Sequence, residues 1–137
     1  MKPGEDKGAS HVQGLAGLVS TDAMDRLRTR AEADPVFLRI LGELVRNAGN
    51  APWREIHDGV SVRPIWDDRT FLLRCAAGKQ VPSHFHPREE WLCVLDGEMR
   101  TGESRFPTGH IEIYPAGSQH PAAEAFEDCL VLLQYSC

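Results

Sequence analysis

The chain has 137 residues, 42% of them apolar and 26% charged, with a formal net charge of -5 and a pI of about 5.6. That length suits one domain with its own core, and the acidic balance excludes a broad phosphate-binding surface, so nucleic acid is not an expected partner. No run approaches the roughly 18 to 20 continuous apolar residues of a membrane helix. Cys75, Cys93, Cys129 and Cys137 are scattered with no CxxC pair, which fits reduced thiols and a cytoplasmic location better than a disulfide framework.

Residues 1–19, rich in Gly, Lys, Asp and Ser, read as a flexible leader without the apolar region or cleavage site of a secretory signal. Residues 20–52 read as a helical arm. Ser20 or Thr21 is placed to cap a first helix that opens with Asp22 and Asp25. Asp34-Pro35 starts a second helix, in which Phe37, Ile40, Leu41 and Leu44 recur at three- and four-residue spacing. The segment "NAGN" supplies a glycine stop. From residue 53 to 137 the texture changes to short apolar or alternating runs ("VSVRPIW", "TFLLRCA", "EWLCVLDG", "HIEIYP", "CLVLLQYSC") divided by turn clusters. That spacing predicts an antiparallel sandwich or small barrel. The run "CLVLLQYS" is expected to offer an apolar edge for pairing, hence a homodimer.

Two clusters carry chemistry. Alternation along a strand puts His84 and His86 on one side, about 6.6 Å apart, close enough for both imidazoles to reach one ion. A turn at "PREE" would reverse the chain and set Glu90 on the neighbouring strand opposite them, with Asp96-Gly97 as the next hairpin. The second cluster is "GHIEIYPAGSQHPAAE", residues 109–124: Gly109 opens a strand, Pro115-Ala116-Gly117 turns the chain, and His120 emerges just after.

Written out, these are Gly78, five residues, His84-x-His86, three residues, Glu90, six residues, Gly97; and Gly109, five residues, Pro115-x-Gly117, two residues, His120. Both patterns resemble the two motifs of the cupin superfamily. The phrases "HFHPREEWLCVLDGEM" and "GHIEIYPAGSQHP" look most like the cupin domain of ChrR-type anti-sigma factors. The resemblance implies a mainly β fold: one RmlC-like jelly-roll (double-stranded β-helix) barrel over residues 53–137 behind the helical arm. It further implies one divalent metal per chain, held by His84, His86, Glu90 and His120. The helical zinc domain with which ChrR binds its sigma factor has no counterpart, since residues 1–52 hold His11 and no cysteine. Sigma-factor inhibition is therefore not carried over.

A site of three imidazoles and one carboxylate suits Fe(II), Zn(II), Mn(II), Ni(II) or Co(II). The leading expectation is a non-haem dioxygenase acting on a small keto- or enol-type molecule. The alternatives are a non-catalytic ChrR-like sensor or ligand-binding module, and an isomerase or lyase using the metal only as a Lewis acid. His57 and His110 are expected outside the ligand set. Cys75, Cys93 and Cys129 sit in apolar runs and are expected as small buried hydrophobes, with Cys93 facing away from the metal; Cys75 facing the cavity is the lesser alternative. Arg74, Arg100, Tyr114 and Gln134 are candidates to line a substrate cavity, with water as the competing destination of the two arginines.

Overall fold

The computed structural model describes residues 14–47, 51–65 and 68–136, which hold two helices and twelve strands. Ser20, rather than Thr21, caps α1 (Thr21–Ala33): its Oγ accepts the Ala23 N–H at 3.1 Å. The same serine ties the helix to the body of the fold. Its amide donates to Asp96 Oδ2 at 2.7 Å and its hydroxyl to Asp96 Oδ1 at 3.1 Å. Asp34 caps α2 (Pro35–Asn47), accepting from the amides of Val36 and Phe37 at 3.0 and 3.3 Å. Pro35 takes the first helical position, where its missing N–H costs nothing. Phe37, Leu41 and Leu44 are fully buried, each such side chain contributing roughly 1.5–3 kcal/mol, while Ile40 is partly covered. Residues 1–13, with His11, and the three residues after Asn47 that would complete the glycine stop lie outside the described residues, as does Cys137. The stretch 14–19 is anchored, with Leu15 and Val19 buried against the helices.

Six strands form one antiparallel sheet: β1 (Arg54–His57), β2 (Val60–Pro64), β3 (Thr70–Cys75), β12 (Cys129–Tyr135), β6 (Glu90–Asp96) and β9 (Ile111–Tyr114), adjacent in that order. Four short strands form a second sheet, in the order β4 (Gln80–Val81), β11 (Ala123–Ala125), β7 (Met99–Thr101) and β8 (Ser104–Phe106). A third ladder joins only β5 (His84–Phe85) and β10 (Gln119–His120). Met99, Phe106 and Ala123 of the smaller sheet share a core with Leu73, Leu92 and Val131 of the larger one, so the two face each other as a jelly roll. They do not join into one continuous hydrogen-bonded barrel among the described residues.

The large sheet is buried on both faces. On β12, Leu130 and Leu132 point outward under the helices with Leu72, Cys93 and Leu95, whereas Val131 and Leu133 point into the jelly roll with Leu73, Leu92 and Val94. That is why "CLVLL" reads as an unbroken apolar run. It also corrects the expected edge: β12 is hydrogen-bonded to β3 on one side and β6 on the other, so it presents no edge for dimer pairing. Asp96-Gly97 likewise does not make a hairpin, because β6 and the following β7 belong to different sheets and the turn carries the chain between them. Only glycine fits there. Gly97 has φ +84, and a Cβ would meet the Asp128 carbonyl oxygen at 2.5 Å and Cys129 Sγ at 2.8 Å.

Candidate metal centre

The two histidine segments meet through the two-residue ladder, whose register sets His120 directly opposite His84 and Gln119 opposite Phe85. Further bonds lock them together. The His86 amide donates to the Ser118 carbonyl at 2.9 Å, and the Gly117 amide donates to the His86 carbonyl at 2.7 Å. Ser83 Oγ donates to the His120 carbonyl at 2.7 Å and accepts from Gln119 Nε2 at 2.9 Å. The turn after Pro115 thus has a positional task, delivering His120 to a place fixed by β5.

The rings of His84, His86 and His120 have centroids 4.6 to 5.1 Å apart, and one ring nitrogen of each lies within 4.8 Å of the other two. Two metal–nitrogen bonds span at most about 4.2 Å, so a small inward adjustment would let all three nitrogens hold a single metal ion. Two of the rings are oriented from behind: His84 Nδ1 bonds the Pro82 carbonyl at 2.9 Å, and His120 Nδ1 bonds the Pro121 carbonyl. A carbonyl oxygen only accepts, so both Nδ1 atoms carry the proton and each Nε2 keeps a free lone pair.

Glu90 does not sit on a strand paired with β5, as a reversal at "PREE" would have it. It opens β6 in the large sheet, between Tyr114 of β9 and Tyr135 of β12. It still arrives at the same place: Glu90 Oε2 lies 2.9 Å from His86 Nε2, with the two side chains 3% and 1% exposed. These atoms form no hydrogen bond with each other or with any other polar group among the described residues. Two buried, unsatisfied polar atoms 2.9 Å apart are costly unless something binds there.

The electrostatics agree. Burial, helped by neighbouring His84 and His120, pushes His86 down to about 4, and burial also lowers His120. Both rings are therefore neutral at physiological pH, the form in which imidazole binds metals. Burial pushes Glu90 up to about 7, opposed by the neighbouring Tyr135 hydroxyl. Tyr114 and Tyr135 are pushed up to about 12, mainly by burial and also by the Glu90 charge, so both remain phenols.

The cluster opens into a cavity of about 470 Å³. Glu90, His84 and His120 form part of its wall, and Phe71, Leu73, Leu92 and Leu133 make much of the rest. Of the four expected lining residues only Tyr114 lines it. Strand alternation explains the other three. Arg74 lies outward between inward Leu73 and Cys75, stacked 4.0 Å from Trp53. Arg100 alternates with inward Met99, lies 3.6 Å over Phe126 and donates to Glu98 at 2.8 Å. Gln134 follows inward Leu133 and reaches Thr70 Oγ1 at 3.4 Å. Tyr135 went unread in the sequence, although the same alternation from Val131 and Leu133 points to it. Cys93 faces away under the helices, and Cys75 faces inward without reaching the cavity wall, its thiol donating to the Lys79 carbonyl at 3.5 Å. His110 pairs with Glu112 at 2.7 Å and stacks on Phe106. His57 lines the cavity but is not one of the clustered histidines.

Two facing antiparallel sheets with inward histidines from two motifs define a cupin. A family model described as the ChrR cupin-like domain matches residues 41–136, and the chain belongs to that family. No curated protein matches it. Among solved structures it is similar to an RmlC-like cupin from Shewanella frigidimarina, with TM-score 0.58 and 14% identity over 64% of this chain and 84% of that one. It is similar to a structure of Rhodobacter sphaeroides SigE in complex with the anti-sigma ChrR, with TM-score 0.58 and 21% identity over 94% and 96% of the two chains. An acetylacetone dioxygenase from Acinetobacter johnsonii aligns with TM-score 0.50 and 16% identity over 64% and 74%. No helix among the described residues is long and apolar enough to cross a membrane.

Proposed function

We propose that this protein is a metal-dependent cupin enzyme, a non-haem dioxygenase acting on a small keto- or enol-type molecule, with His84, His86, His120 and Glu90 holding one divalent ion. The observation that carries the reading is the pair of buried atoms without a hydrogen-bond partner among the described residues, Glu90 Oε2 and His86 Nε2, beside two imidazoles whose Nδ1 protons are already committed. Iron(II), when bound, would supply the redox couple and the open coordination positions that oxygen chemistry needs.

The remaining work falls to the chain. Neutral imidazoles admit a cation without first losing protons, and Glu90 offsets part of its charge once ionised. Tyr135 lies beside that carboxylate on the adjacent strand. Tyr114, whose buried hydroxyl has no partner among the described residues, is placed to donate to a substrate oxygen. Phe71, Leu73 and Leu133 exclude water and favour an apolar substrate body.

The test is anaerobic reconstitution with Fe(II), followed by oxygen-uptake measurements with acetylacetone, longer β-diketones and thiol acids. Consumption dependent on both metal and substrate is the expected result, and none with any metal would overturn it. The match to the ChrR cupin-like family favours a second reading, a ligand-binding or sensor module. That reading predicts tightly held zinc, no turnover, and a protein partner. Metal analysis of untagged protein separates the two.

A further inference from the structure

The metal cluster accounts for part of the cavity wall; Arg54, on the same wall, carries a charge with no partner among the described residues. β1 is an edge strand of the large sheet, and its Arg54, Ile56 and His57 all line the cavity. Arg54 and Ile56 share a face by alternation. His57 joins them because the ladder shifts register between Glu55 and His57, a bulge that re-aims one side chain. The strand is held in place by Trp53, which stacks against Arg74 at 4.0 Å and Arg63 at 5.9 Å. Lys79, on the segment facing that hairpin, is already paired with Asp58 at 2.9 Å. Arg54 has no ion pair and no hydrogen bond among the described residues, yet it faces the same cavity as His84, Glu90 and His120.

From this we infer that Arg54 is an anion-binding residue, and that the ligand is an apolar monocarboxylate whose acid group sits at Arg54 and whose opposite, chelating end reaches the metal. The inference rests on the metal-site reading above. A guanidinium fork matches a carboxylate with two parallel N–H···O bonds. A single guanidinium suits a monoanion, whereas a phosphate dianion would call for more donors than Arg54 provides. Phe71, Leu73, Val62 and Leu133 line the same cavity, so the connecting part of the ligand is hydrocarbon. A cavity of about 470 Å³ lies within the range of ordinary small-ligand sites. Arg54 thereby selects the ligand; it takes no part in chemistry.

The test uses calorimetric titration of the zinc-loaded full chain with monohydroxamates of dicarboxylic acids of increasing length, each beside its methyl ester, and with acetohydroxamate as the chelator alone. At one length the free acid should bind at least tenfold more tightly than its ester. Arg54→Gln should reduce that ratio below twofold while leaving acetohydroxamate affinity and the circular dichroism spectrum unchanged, and Arg54→Lys should restore part of it. Equal binding of acid and ester at every length, or a preference that survives Arg54→Gln, would overturn the inference. If acetohydroxamate does not bind, the metal reading fails instead. A second arm then decides on Arg54 alone: metal-free protein should prefer octanoate to octanol, and Arg54→Gln should abolish that preference; no preference overturns the assignment.

Discussion

The two faces of the six-stranded sheet use the same strands for opposite ends. Outward, Leu72, Cys93, Leu95, Leu130 and Leu132 pack with Phe37, Leu41 and Leu44 into an apolar core. Inward, one residue along each strand, the same β6 and β12 present Glu90, Leu92, Leu133 and Tyr135 to a cavity with orphaned polar atoms. The outer face stabilises the fold, and the inner face holds destabilising groups in place. Alternation keeps the two tasks apart within a single strand.

The largest expected effect breaks the outer face. Phe37→Ala should lower unfolding free energy in urea by about 3–5 kcal/mol, with zinc affinity of the folded protein unchanged. Next comes His86→Ala, which should weaken zinc or cobalt binding by at least about 100-fold in competition with a chromophoric chelator, because it removes a donor outright rather than a supporting contact. Glu90→Gln sharpens the contrast: the metal-free variant should gain about 1–3 kcal/mol of stability, since a buried unpaired carboxylate is removed, while metal affinity falls. Arg74→Ala should have the smallest effect, about 0.5–1 kcal/mol from its stack on Trp53, with no change in metal binding.

Two opposing pH dependences follow for the metal-free protein. Glu90, at about 7 when folded against 4.5 in its ordinary state, binds more protons in the folded chain, so its contribution to stability is lost as pH rises from about 4.5 to 7. His86, at about 4 against 6.5, binds fewer, so its contribution is lost as pH falls from about 6.5 to 4. Glu90→Gln should remove the first and leave stability rising with pH across this window, read by denaturant titration at each pH. Metal affinity of the intact protein should drop as pH falls below about 7, where Glu90 takes up a proton.

Both helices were legible because their signals are local: Ser20 and Asp34 as caps, Pro35 at a first turn, and a three-and-four spacing of apolar residues. The three clustered histidines were legible for a similar reason, since short fixed spacings carry them. Strand partnership was not. That β12 lies between β3 and β6, and that Glu90 belongs to the large sheet rather than beside His84, depends on contacts distant in sequence, which local turn chemistry does not encode. Arg54 was also out of reach, because nothing near it in the chain reveals that an edge strand will form a cavity rim.

The ladder that brings His84 opposite His120 is only two residues long, too short to be durable by its own hydrogen bonds. A cation clasped by side chains from both strands would rivet them, so that losing the ion and parting the strands become one event. Deuterium uptake at the His86 and Gly117 amides would then double as a clock for how fast the ion escapes.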